Sequence, residues 1–159
     1  HISLYSELGR GTTFKIYLPR ITETAEEEVT SAPVAPIGGT ETILVVEDDA
    51  AVREITRKML ADLGYDVIEA DGGPHALSVA AERETIHLLL TDVIMPEMSG
   101  RRTVEQVVAL HPEIKTLYMS GYTANVIAHH GVLDRGVHLL QKPFTNRGLA
   151  QKIREVLAS

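Results

Sequence analysis

The sequence predicts a doubly wound α/β fold for residues 41–159, with five parallel strands and helices on both faces of the sheet. Three observations predict it. Ile43-Leu44-Val45-Val46 and His87-Leu88-Leu89-Leu90 are short, nearly unbroken apolar runs, as expected of strands covered on both faces. Between and after them, apolar residues recur at helical spacing. The alternation of the two periods continues to the last residue, so each strand reaches the next through a helical crossover, which makes the strands parallel.

Taken in order, the first strand covers residues 43–46. A helix follows in which Val52, Ile55, Met59, Leu60 and Leu63 share one face, with Asp49 at its N-cap and Gly64 at its stop. Residues 65–69 form a short second strand. Pro74 opens a helix reaching Arg83, with Leu77, Ala80 and Ala81 on one face. Residues 87–90 are the third strand, and Val104, Val107 and Val108 mark the next helix. Residues 114–119 and 137–141 are the fourth and fifth strands, with a helix over 124–131 between them. Leu149, Ile153, Val156 and Leu157 form the closing helix, capped by Thr145.

Two further segments precede this domain. Ile2, Leu4, Phe14, Ile16 and Leu18 alternate with polar residues around Gly9-Arg10-Gly11, the pattern of a β-hairpin over residues 1–20. An isolated hairpin is marginal in water, so it is expected to belong to a larger sheet. Residues 21–40 are acidic, carry Pro33, Pro36 and the Gly38-Gly39 pair, and hold few large apolar side chains. Such a stretch cannot offset its own ordering entropy and reads as a flexible linker.

Composition excludes several function classes. With 22 acidic against 15 basic residues the net charge is −7, which argues against a nucleic-acid partner. There is no cysteine, hence no disulfide framework and no thiolate chemistry. Apolar runs stay far below the roughly 20 residues that span a bilayer. No basic-then-apolar leader opens the chain, so a cytoplasmic location without membrane contact is expected. The seven histidines are scattered, and the adjacent His129 and His130 lack the spacing of a ligand pair.

Chemistry collects where the strands end. In an open parallel sheet the carboxyl ends of the strands face the crevice at the point where strand order reverses. Those ends carry Glu47-Asp48-Asp49, Asp92, Ser120 and Lys142. Asp49 alone is best explained as a helix cap. Carboxylates gathered from two strands repel one another unless a cation intervenes, and Mg²⁺ prefers oxygen ligands and tolerates phosphate in its shell. Asp92 is the carboxylate best placed to attack phosphorus, with Lys142 and the Ser120 hydroxyl positioned to meet phosphoryl oxygens.

Ile43-Leu44-Val45-Val46-Glu47-Asp48-Asp49, Thr91-Asp92-Val93-Ile94-Met95-Pro96 with Gly100, Met119-Ser120-Gly121-Tyr122 and Gln141-Lys142-Pro143-Phe144 together resemble a response-regulator receiver domain of two-component signalling. The resemblance implies a flavodoxin-like sheet of strand order 2-1-3-4-5. It implies that Asp92 accepts a phosphoryl group from a phosphohistidine on a kinase dimerisation domain or phosphotransfer protein. Mg²⁺ would be held by Asp48, Asp92 and the backbone carbonyl of Ile94, with Glu47 acting through water, and Ser120 and Lys142 would contact the phosphoryl oxygens. A cis Lys142–Pro143 bond is expected from the bend that returns Lys142 to the crevice. One position departs from the family: Leu139 stands where receivers commonly carry Tyr or Phe, so the usual ring movement is not expected there, and Tyr122 is the candidate substitute.

Gly9-Arg10-Gly11-Thr12-Thr13-Phe14 and Ile16-Tyr17-Leu18-Pro19 resemble the last segment of a sensor histidine kinase ATP-binding domain, so the whole is similar to the C-terminal part of a hybrid histidine kinase. The kinase core is absent from these 159 residues, which are expected to act as phosphoacceptor, as a monomer or weak dimer, with no DNA-binding output domain. The alternative expectation is a pseudo-receiver that docks or dimerises without phosphorylation.

Overall fold

The computed structural model describes residues 2–18, 38–121 and 137–159. The chain divides into two compact units, His1–Val34 and Ala35–Ser159.

In the first unit, β1 (Ile2–Glu7) and β2 (Gly11–Ile16) pair antiparallel. Ile2 stands opposite Ile16 and Leu4 opposite Phe14, so these four apolar side chains share one face of the ribbon. Each of them is more than half exposed. The Arg10 amide donates to the Glu7 carbonyl at 3.0 Å, and Gly9 and Gly11 take positive φ in the turn.

The second unit contains β3 (Thr42–Val46), α1 (Ala50–Asp62), β4 (Asp66–Ala70), α2 (Gly73–Ala81) and β5 (Leu88–Asp92). It continues with α3 (Gly100–Leu110), β6 (Lys115–Ser120), β7 (Leu139–Gln141) and α4 (Asn146–Leu157). The sheet is parallel throughout, in the order β4-β3-β5-β6-β7, the 2-1-3-4-5 order expected from the sequence. Alternate side chains divide it into two cores. Ile43, Val45, Leu88, Leu90, Leu117 and Met119 face Leu60 of α1 and Leu149, Ile153 and Val156 of α4. Leu44, Val46 and Leu89 face Ala76 and Ala80 of α2 and Val107 of α3. The central strands are thus apolar on both sides, which explains why their sequences run without alternation.

Helix starts follow the predicted caps. Asp49 accepts from the amides of Ala51 and Val52 at 2.8 and 3.1 Å, and Thr145 accepts from Gly148 at 3.1 Å. At the far end of α1 the chain turns through Gly64 at φ 92°.

Element boundaries move by one or two residues for identifiable reasons. The third strand of the sheet runs to Asp92 rather than stopping at Leu90, because Val46 on one side and Met119 on the other extend the ladder over Thr91 and Asp92. His87 lies just before it, with its amide donating to the Thr42 carbonyl and its Nδ1 accepting from the Thr42 amide, both at 2.9 Å. The second strand of the sheet is displaced by one residue, and the fifth is shorter than its apolar run. The helix expected over 124–131 and Tyr122 lie outside the described residues.

Two glycines sit where backbone segments approach closely. A Cβ on Gly38 would lie 2.0 Å from the Leu63 carbonyl oxygen, and the neighbouring Gly39 amide donates to that oxygen at 3.2 Å. Nearby, the Arg154 guanidinium pairs with Glu41. At Gly100, the first residue of α3, a Cβ would lie 1.9 Å from the carbonyl oxygen of Asp92, and the Gly100 amide donates to Val93 at 3.0 Å. The start of α3 therefore rests against the strand end that carries Asp92. Gly100→Ala is expected to lower stability by about 1–3 kcal/mol through overpacking, read as a lower urea midpoint. An unchanged midpoint would show that the strand end and helix separate without cost.

Candidate functional site

Four strands deliver the site. Glu47 follows β3, Asp92 ends β5, Ser120 ends β6 and Lys142 follows β7. β3 lies between β4 and β5, so the chain leaves it in opposite directions across the sheet, and the crevice opens at that reversal. Carboxylate oxygens of Glu47, Asp48 and Asp92 lie within 4.8 Å of one another. Glu47 is buried, Asp92 half-buried and Asp48 exposed, so the cluster opens to solvent on one side.

Lys142 spans two of the three acids. Its Nζ donates to Glu47 Oε2 at 2.5 Å and to Asp92 Oδ2 at 2.7 Å. The Lys142–Pro143 bond is cis, as expected from the sequence. The Lys142 amide donates to the Ser120 carbonyl at 2.7 Å, so the fourth and fifth strand ends are joined beside the site. The other oxygen of Asp92, Oδ1, accepts from the Ile94 amide at 3.1 Å. Ser120 is buried, in register with Gln141.

The electrostatics follow from this crowding. Burial pushes the Glu47 carboxyl above its usual 4.5; Lys142 pulls it down, and the charges of Asp92 and Asp48 add to the rise. Burial alone would lower the Lys142 ammonium, but hydrogen bonds to Asp92 and Glu47 outweigh it and hold the group above its usual 10.5. Lys142 thus stays charged across neutral pH, while an ionised Glu47 is held at a cost to the fold.

Two neighbours had no signal in the sequence reading. Arg53 on α1 directs its guanidinium at the Glu47 carbonyl. Tyr118 is a buried ring directly opposite Leu139 in the ladder and packs with Val93, so an aromatic does stand beside the position where Leu139 departs from the family pattern. An arginine six positions after Glu47, and a tyrosine inside an apolar strand, both look ordinary until the neighbouring strands are in place.

A family pattern described as the response regulator receiver domain matches residues 43–154. The chain belongs to that family. It is a receiver domain of two-component signalling. Sensor kinase CckA of Brucella abortus is 37% identical over 163 residues, covering 96% of this chain but 17% of the relative. The whole kinase is thus about six times as long as the matched region. Response regulator receiver protein CpdR of the same organism is 34% identical over 72% of this chain and 95% of its own length. Among solved structures, the receiver domain of the hybrid histidine kinase CckA superposes with a TM-score of 0.62 at 34% identity, covering 73% of this chain and 98% of that one. Chemotaxis protein CheY4 of Vibrio cholerae reaches 0.66 at 26% identity, covering 74% and 99%. Among the described residues no helix is long and apolar enough to cross a membrane.

The raised Glu47 value sets a pH dependence for this receiver. A group whose folded value is raised contributes stability that is complete below its unfolded value and lost as pH rises through the folded one. For Glu47 the loss begins near 4.5. Glu47→Gln is therefore expected to melt with the parent at about pH 4 in metal-free buffer. At about pH 7 it is expected to melt at a higher temperature than the parent, because the neutral amide avoids the cost of a buried, ionised carboxylate. Circular dichroism melts at both pH values check this; a lower melting temperature at neutral pH would contradict it.

Proposed function

We propose that Asp92 is the residue that takes the phosphoryl group and that Asp48 and Asp92, with Glu47 acting through water, are the carboxylates that hold Mg²⁺. The observation carrying this reading is the ammonium of Lys142 bridging Glu47 and Asp92 beside a third carboxylate. The donor set fits the ion. It is all oxygen, it is open on one side, and it leaves room for water and phosphate in the remaining positions. The Ile94 backbone carbonyl is a further candidate ligand, in the loop directly after Asp92. When bound, Mg²⁺ supplies positive charge against the developing negative charge on the phosphoryl oxygens.

The protein groups divide the remaining work. An Asp92 carboxylate oxygen forms the new bond to phosphorus as the bond between phosphorus and the donor imidazole nitrogen breaks, and the imidazole leaves with its electron pair. The Ile94 amide orients the Asp92 carboxylate before attack. Lys142 exchanges a carboxylate for a phosphoryl oxygen, and its raised basicity keeps it cationic while it does so. Ser120, buried at the end of the adjacent strand, is the hydroxyl donor to a second phosphoryl oxygen. The partner is a phosphohistidine-bearing protein. Convergence of all these groups gives no support to the pseudo-receiver alternative.

The hairpin fits the same reading. Its apolar face is exposed, and the match to sensor kinase CckA extends over 96% of the chain, well beyond the receiver. We take residues 1–20 as the end of an upstream kinase ATP-binding domain, 21–40 as a linker and 41–159 as the receiver, all acting in the cytoplasm.

Asp92→Asn is expected to abolish phosphoryl incorporation from a small phosphodonor, read by intact mass, and chelation of Mg²⁺ is expected to do the same to the parent. Incorporation at the parent level in the variant would reject Asp92. The 159-residue chain is expected to bind ATP no more tightly than about millimolar, about −4 kcal/mol, by isothermal titration. Tighter binding would mean that the hairpin carries a nucleotide site of its own.

A further inference from the structure

We propose that Arg53 is a positioning residue of the phosphoryl-transfer site, gripping the backbone of residues 47–48 so that their carboxylates converge on one cation; this rests on the reading of the acidic cluster as a Mg²⁺ site. Arg53 Nη1 donates to the Glu47 carbonyl oxygen at 2.6 Å and reaches that of Asp48 at 3.5 Å. Its Nε faces Glu69 on the neighbouring strand β4 at 3.8 Å. The second oxygen of Glu69 lies 3.6 Å from Arg57, one turn further along α1. Only 19% of the Arg53 side chain is exposed, low for a residue type that is mostly solvated.

The grip acts where the sheet can no longer hold the chain. Beyond Val46 the ladder ends, and the backbone groups of the loop need other partners. Glu47 is then fixed at three points by three different segments. Its amide donates to the Ala70 carbonyl at 3.2 Å, its carbonyl accepts from Arg53, and its carboxylate accepts from Lys142. Asp48 lies between this anchored residue and Asp49, which is held as the cap of α1. Its direction follows from those two anchors. A guanidinium suits the task because its planar fork donates to the loop carbonyls from Nη1 while Nε faces the Glu69 carboxylate; a lysine ammonium offers a compact point charge without that geometry.

Charge and geometry affect a cation in opposite directions here. A positive charge behind the acidic cluster repels Mg²⁺, so deleting Arg53 would tighten binding if charge alone mattered. Losing the grip weakens binding, because Mg²⁺ demands oxygen ligands close to ideal positions and supporting groups hold them there. The sign of the effect separates the two.

The test is calorimetric titration of the 159-residue chain with Mg²⁺, with the melting temperature recorded separately. Absence of binding by the parent would overturn the Mg²⁺ site itself and this inference with it; binding by the parent isolates the question of Arg53. Arg53→Met retains the apolar stem and removes the fork. It is expected to bind Mg²⁺ about tenfold more weakly. Phosphorylation by a small donor is expected to recover at saturating Mg²⁺, so the Mg²⁺ requirement changes and the maximal rate does not. Arg53→Lys retains the charge and is expected to fall between the two, and it decides the matter if the methionine variant does not fold. Mg²⁺ affinity equal to or tighter than the parent's in Arg53→Met, or equal to it in Arg53→Lys, would overturn the inference.

Discussion

A single ammonium bridging two carboxylates, Lys142 between Glu47 and Asp92, is the interaction on which the functional end of this domain depends. Three acids within 4.8 Å would repel one another in a partly buried crevice, and the fold tolerates them because one positive charge lies among them. The compensation is incomplete. Glu47 remains raised above its usual value even with Lys142 in contact, so the site carries an electrostatic cost before any ligand arrives. A crevice short of positive charge is receptive to a divalent cation. Under the proposed function, the same shortage would make phosphoryl transfer depend on that cation, since a dianionic phosphoryl group would otherwise meet net negative charge.

That arrangement requires a stiff support. Two cores, one on each side of the parallel sheet, bury β3 and β5 almost entirely, and the acidic side chains appear where those strands leave the sheet. The loops at this edge are tied to it repeatedly. The Val93 amide donates to Met119, the Gly100 amide to Val93, and the Lys142 amide to Ser120. Arg53 extends the same pinning to the first loop. Side chains separated by up to 95 positions in the sequence can therefore be held within hydrogen-bonding distance.

The hairpin makes the opposite physical case. Its strands have the alternating pattern of a half-buried sheet, and the cross-strand pairs bring Ile2, Leu4, Phe14 and Ile16 together. Two strands offer nothing to cover that face, so it stays exposed, whereas the receiver buries its own apolar side chains among its own helices. The receiver is self-sufficient in this sense, and the hairpin is not.

Sequence alone determined the fold class and the caps Asp49 and Thr145, and it singled out the polar strand-end residues that the structure brings together. Apolar runs such as 43–46 and 87–90 reveal strands covered on two sides, Asp49 and Thr145 mark helix starts by chemistry that acts over three residues, and polar residues at strand ends stand out against those runs. Strand ends were less legible. Thr91 belongs to β5 because strands on both sides pair with it, and Asp92 because β6 pairs with it, not because of their own side chains. What only the tertiary structure decided are relations between distant segments: Lys142 reaching Glu47 as well as Asp92, Tyr118 beside Leu139, Gly100 against the Asp92 carbonyl, and Arg53 on the Glu47 carbonyl. Hydrophobic periodicity reports which face of an element is buried, while these contacts depend on backbone carbonyls and on side-chain reach across strands, which no local pattern records.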